Sequence, residues 1–168
     1  ITSVCNMTHR GAVDADMKTG DGSGILSQIP RPLFAKAAAQ FGYSGLSDDL
    51  AVGVFFLPGD DTAGSSQIKT FVESTLAERN IPFIGWREAP VNPDELGKLA
   101  QDTQPEILHL LASKPNDWDG DHFERQLFLV RREIEKEFED VADFYIPTLS
   151  GRLISYKGLA MPATLRAF

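Results

Sequence analysis

Residues 121–141, "DHFERQLFLVRREIEKEFEDV", place Phe123, Leu127, Val130, Ile134, Phe138 and Val141 three and four apart on an otherwise charged segment. At 3.6 residues per turn this spacing gathers the apolar side chains into one stripe on a charged helix. Such a stripe must lie on another layer of structure, and the nature of that layer sets the fold class. Asp121 and Glu124 at its start resemble a capping box with a carboxylate as the cap.

Two further helices fit residues 62–80, where Ile68, Phe71, Val72 and Leu76 share a face, and residues 31–42. The latter has Pro32 in its first turn and Gly42 at its stop. The opening "TSVCNMTHR" reads as the end of another helix. Between them, residues 24–30, 50–58, 81–90, 106–113, 143–150 and 152–160 are apolar or β-rich runs bounded by Gly, Pro, Asn or Asp. In the last of these, Leu153, Ser155 and Lys157 alternate against Ile154, Tyr156 and Gly158, the pattern of a sheet with one wetter face. Gly151 alone separates the last two runs, which predicts a tight hairpin. Amphipathic helices with mixed strands make a layered α/β or α+β unit, and no repeat or low-complexity linker divides it.

Composition narrows the functions. A chain of 168 residues with 42% hydrophobic and 24% charged residues can bury a core of its own. A net charge of −8 disfavours a nucleic-acid backbone or an anionic membrane as partner. One cysteine excludes an internal disulfide and any multi-thiolate zinc or iron–sulfur site, and it suits a cytoplasmic setting. The longest apolar run, "LAVGVFFL", is far short of the roughly 20 residues that span a bilayer.

The densest chemistry lies in "CNMTHRGAVDADMKTGDGSGILSQIP", residues 5–30. Cys5 and His9 stand four apart, so a helix would turn thiol and imidazole to one side. Reactive thiols favour exposed turns and helix N-termini, whereas Cys5 falls mid-helix beside Val4 and Met7, the place of a small buried apolar side chain. Calcium loops counted from Asp14 or Asp117 lack the required glycine at the sixth position, so no metal is expected. "TGDGSG" has no following Lys-Ser/Thr, and its acidic neighbours would repel a phosphate. Gly20, Gly22 and Gly24 are therefore read as positions of positive φ or close backbone approach where a loop enters a strand. Arg10 could clamp a substrate carboxylate or tie the loop down through Asp14, Asp16 or Asp21; the loop carboxylates are its nearest partners. His109 in an apolar strand is expected to be structural, His122 to lie on the surface, and Trp118 to cover the core.

The same stretch resembles the N-terminal glutamine amidotransferase domain of glutamate synthase large subunits, a class II glutamine amidotransferase. The matching pattern is ordered: Asn6-Met7, His9-Arg10-Gly11-Ala12, Ala15-Asp16, Thr19-Gly20-Asp21-Gly22, Gly24-Ile25-Leu26 and Gln28-Ile29-Pro30. "FERQLFLVRREIE" (123–135) and "DFYIPTLSGRLISYKGLAMPATLRAF" (143–168) extend it, so the resemblance covers essentially the whole chain. Asp14 departs from it, standing where the family has a small residue.

The resemblance implies an α+β fold, the four-layer αββα sandwich of N-terminal-nucleophile hydrolases, with residues 1–168 forming a partial domain incomplete at both ends. It implies hydrolysis of L-glutamine by a terminal cysteine whose α-amino group is the base, with an Asn-Gly pair as oxyanion hole. Ammonia would pass to a synthase domain with FMN and an iron–sulfur cluster, there to meet 2-oxoglutarate. None of the catalytic residues maps onto this chain: the nucleophile would lie upstream of Ile1 and the glutamine-binding residues beyond Phe168. The carried-over residues are supports that hold the site in shape: His9, Arg10, Gly11, Thr19, Gly20, Asp21, Gly22 and Gly24. Expected partners are L-glutamine, the remaining synthase domains and a small reductase subunit. The rival readings are a non-catalytic α/β regulatory or interaction domain and another class II amidotransferase. The electron donor is not written in these residues.

Overall fold

A computed structural model describes residues 2–6, 19–20, 22–59, 62–158, 161–162, 164 and 167. In chain order its elements are α1 (Thr2–Cys5), β1 (Ser23–Gln28), α2 (Arg31–Ala39), β2 (Leu50–Leu57), α3 (Thr62–Glu78), β3 (Phe83–Glu88), α4 (Lys98–Asp102), β4 (Glu106–Ser113), α5 (Gly120–Glu137), β5 (Tyr145–Ser150) and β6 (Leu153–Gly158). The chain forms two compact units, one of residues 27–89 and 105–154, the other of residues 1–26, 90–104 and 155–168.

The larger unit is organised by a four-stranded antiparallel sheet in the order β3-β4-β2-β5. β2 pairs with β4 from Leu50↔Ser113 to Leu57↔Glu106 and with β5 on its other side. An inner strand buried on both faces needs an apolar run instead of an alternation, which is why "LAVGVFFL" is apolar throughout. On one face Ala51, Phe55, Leu108, Leu110, Ile146 and Leu149 meet α3 and α5. Phe123, Leu127, Val130 and Ile134 of α5 are at most 3% exposed, so the stripe forms the core as the spacing predicts. Each such side chain contributes about 1.5–3 kcal/mol of transfer free energy. The opposite face carries His109, which alternates with Leu108 and Leu110 and meets the edge of Phe34 of α2.

Helix ends correct several expectations. α5 stops at Glu137 instead of 141: Phe138 is its C-cap, and Val141 lies beyond, 37% exposed. Its N-cap is Asp119, not Asp121, and the Asp119 carboxylate accepts the His122 N–H at 2.7 Å. α3 ends at Glu78 because Asn80 adopts φ 57°, the left-handed turn that stops a helix, while Ile81 N–H returns to Leu76 O. Gly42, at φ 82°, reverses the chain after α2 as its position suggested. α4 and the 3₁₀ turns at 47–49 and 93–95 were not foreseen.

The tight hairpin at Gly151 is also overturned. β5 pairs with β2, whereas β6 pairs with β1 in a separate two-stranded sheet, so the chain changes sheets there. Gly151 does not take a positive φ; side chains from distant segments hold it. In the smaller unit Leu96 and Ala100 of α4 form a minor apolar cluster.

Candidate functional site

The described part of the predicted site is the loop that feeds β1. Thr19 and Gly20 are buried, and Gly20 forms an isolated β-bridge. Gly22 has φ 115°, a conformation L-residues rarely adopt, and turns the chain into the strand. At Gly24 a Cβ atom would stand 2.9 Å from Lys157 Cβ and 3.0 Å from Tyr156 O, so only glycine lets the backbone lie this close to β6. Two of the three glycines thus do what the sequence reading assigned to them, one by turning and one by close approach. His9, Arg10, Gly11 and Asp21 lie outside the described residues, as do the acidic positions Asp14 and Asp16.

Cys5 is the last residue of α1, not a mid-helix residue, and is only partly buried. Its Sγ donates toward Pro162 O at 3.7 Å. A peptide carbonyl cannot take up a proton at neutral pH, so this contact orients the thiol without activating it. Among the described residues no group of three or more His, Cys, Asp or Glu could hold a metal ion, and no helix is long and apolar enough to cross a membrane.

A second cluster sets the exit of β5. Glu124 on the first turns of α5 accepts the Ser150 hydroxyl at 2.9 Å and the Gly151 N–H at 2.5 Å. Arg31, at the start of α2, donates to Ser47 O at 2.9 Å, Leu50 O at 2.7 Å and Gly151 O. Arg152 pairs with Asp121. One residue is therefore gripped at its N–H by a carboxylate and at its carbonyl by a guanidinium, charge-assisted bonds of the stronger kind. Two residues after Gly151 the chain enters β6, which pairs with β1. Sequence reasoning missed both residues by giving Glu124 to a cap and Arg31 to nothing. The available signal was that the matching segments 123–135 and 143–168 each carry one half of the contact.

His109 is 2% exposed, and its Nδ1 lies 2.8 Å from Arg87 Nη1. The guanidinium has only donors, so Nδ1 accepts and the imidazole proton sits on Nε2. Burial, and secondarily the Arg87 charge, lower the imidazole pKa to about 4. His109 is structural, as its apolar strand suggested. His122 stands at a helix start with its ring edge-on to Trp118, which is partly buried against the core.

The family model for class-II glutamine amidotransferases matches residues 1–168. The chain belongs to the class-II glutamine amidotransferases. This class-II chain is 38% identical over 162 residues to the glutamate synthase [NADPH] large chain of Azospirillum brasilense, covering 95% of this chain and 11% of that protein. It is 37% identical over 166 residues to ferredoxin-dependent glutamate synthase 2 of Synechocystis, covering 96% and 10%. Against the glutamate synthase [NADPH] large chain of Bacillus subtilis it is 32% identical over 168 residues, covering 98% and 11%. The amidotransferase chain thus spans about a tenth of the length of the curated relatives it matches.

Proposed function

We propose that these residues are part of the glutaminase domain of a glutamate synthase, which hydrolyses L-glutamine to glutamate and ammonia for transfer to 2-oxoglutarate. The observation that carries this reading is the match of residues 1–168 to the class-II family, together with relatives that are named glutamate synthases. In this reading a thiolate attacks the side-chain carboxamide carbon, ammonia leaves, and water cleaves the resulting thioester to glutamate. Cys5 is not the nucleophile in this reading, since it matches a position just ahead of the His-Arg-Gly motif, and the reactive thiol is supplied from outside these 168 residues. On the same reading His9, Arg10, Gly11 and the loop Thr19 to Gly24 are the supports carried over from the family pattern, and the close approach at Gly24 fixes the described end of that loop. The chain alone has no glutaminase activity.

The fold completing this reading is the four-layer αββα sandwich, of which residues 1–168 supply a partial domain. FMN and an iron–sulfur cluster, as the synthase chemistry requires, are held by other regions, since one cysteine cannot ligate a cluster. The remaining synthase domains and a small reductase subunit are the partners, and the setting is the cytoplasm. Relatives named for NADPH and for ferredoxin match over the same region, which suits an electron donor chosen elsewhere.

The test is a glutaminase assay on the intact protein with Cys5→Ser. Activity within about twofold of the parent, and glutamate formation that depends on 2-oxoglutarate, are expected. Loss of hydrolysis by a factor of about a hundred or more would make Cys5 the nucleophile, a loss on the scale of removing a covalent catalyst. Hydrolysis without use of 2-oxoglutarate would point to another class-II amidotransferase, and no hydrolysis in the intact parent to a non-catalytic domain.

A further inference from the structure

α5 carries a second ordered stripe, on the side turned away from the core. Arg125, Phe128, Leu129, Arg132 and Lys136 recur three and four apart, and all five are exposed. They lie opposite Phe123, Leu127, Val130 and Ile134, which face the sheet. The centre of an outward stripe is the ordinary place for charge. Here Phe128 is 59% and Leu129 44% exposed, side by side in an open concavity of about 400 Å³ that Glu124 and Arg125 complete. The charges around this apolar pair are one-sided. The nearby carboxylates are committed, Glu135 to Arg131 and Arg132, Glu133 to Arg79, and Asp121 to Arg152. Glu124 holds Ser150 and Gly151. Arg125 and Lys136 take part in no ion pair among the described residues. A chain of net charge −8 thus presents two apolar side chains between cations.

We propose that the outer stripe of α5 docks a segment from another region of the same synthase polypeptide, one that carries acidic side chains around an apolar residue. The proposal rests on the glutamate synthase reading above. Charge selects the partner: carboxylates would pair with Arg125 and Lys136 while an apolar side chain fills the concavity beside Phe128. A second copy of α5 would bring the same cations face to face, so self-pairing is disfavoured. Area selects the tether. Phe128 and Leu129 together expose on the order of 200 Å², whereas a partner recruited from solution covers about 800 Å² on each side. A linked segment needs less, because linkage supplies its effective concentration. The curated relatives have such segments to offer, since the matched region is about a tenth of their length.

Treating the intact protein with a zero-length carbodiimide, which joins an amine to a carboxylate only in direct contact, and mapping the linked peptides tests this. Lys136 should be joined to an Asp or Glu outside residues 1–168, within one polypeptide when isotope-labelled and unlabelled protein are mixed. Hydroxyl-radical oxidation of Phe128 should be low in the intact protein. The double variant Arg125→Glu, Lys136→Glu breaks no ion pair among the described residues and should raise that oxidation about fivefold or more. Equal oxidation of Phe128 in parent and variant, a crosslink between two copies, or protection only after adding vesicles of phosphatidylglycerol and phosphatidylcholine would each overturn the proposal. If the variant misfolds, the crosslink decides alone, and no Lys136 adduct outside residues 1–168 overturns it. Glutamate formation from glutamine and 2-oxoglutarate on the same preparation judges the functional reading separately. Activity with Phe128 freely oxidised removes the docking surface and keeps the reading; the crosslink without activity does the reverse.

Discussion

On one face of the four-stranded sheet, Ile68, Val72 and Leu76 of α3 and Phe123, Leu127, Val130 and Ile134 of α5 close over Phe55, Leu108 and Leu110. On the other, Phe34 of α2 closes over His109 and its contact with Arg87. The first face is held by area removed from water, which pH does not touch. The second includes a buried titratable group, so its contribution depends on solution conditions. The sheet itself is common to both, and its two sides should respond differently to the same perturbation.

The sharpest way to break this contrast is Leu127→Ala. Leu127 is fully buried, and truncation leaves a cavity that should cost about 2–5 kcal/mol in urea unfolding, equally at pH 7 and pH 5. A pH-dependent loss would show that the apolar face is not purely apolar in its energetics.

His109→Gln probes the other face. Its pKa of about 4 lies below the value of about 6.5 in the unfolded chain, so the unfolded state takes up the proton first as pH falls. The stability contributed by the neutral imidazole is complete above about pH 6.5, and it is lost as pH falls through about 4. The full difference is about 3 kcal/mol, and the Gln variant should remove that slope from the stability profile between pH 7 and pH 4.

Glu124→Ala tests the point where the two sides of the unit converge on Gly151. It strips the partner from the Gly151 N–H and the Ser150 hydroxyl, an expected loss of about 1–3 kcal/mol. Arg31 would retain its hold on the carbonyl, so exchange protection should fall around residue 151 more than at residue 50. The smallest effect belongs to Phe128→Ser, one residue from Leu127 but 59% exposed, where a change within about 0.5 kcal/mol is expected.

Much of this contrast could be read from the residues. The α5 stripe, the all-apolar β2 and the turning or close-packed roles of Gly22 and Gly24 follow from local periodicity and backbone sterics, which a sequence displays directly. The change of sheets at Gly151 does not. Its geometry is imposed by Glu124 and Arg31, 27 and 120 positions away, and a single glycine between two strand-like runs looks the same as a hairpin. The N-cap was misplaced by two residues because Asp119 and Asp121 both satisfy the cap chemistry, and only backbone geometry chooses between them. Arg87 escaped notice for a related reason, since its partner lies across a strand pairing and no spacing encodes it. α4 has five residues, too few to show a period. For the site, His9, Arg10, Gly11 and Asp21 rest on the family pattern alone, while the geometry shows only the turn at Gly22 and the close approach at Gly24.

The role assigned to Cys5 is the claim on which the functional account rests. Reacting the intact protein with an electrophilic glutamine analogue, then mapping the modified cysteine by peptide mass spectrometry, tests it most directly. The account predicts the adduct on a cysteine outside residues 1–168 and an unmodified Cys5 in the same digest. An adduct on Cys5 that free L-glutamine suppresses would contradict it.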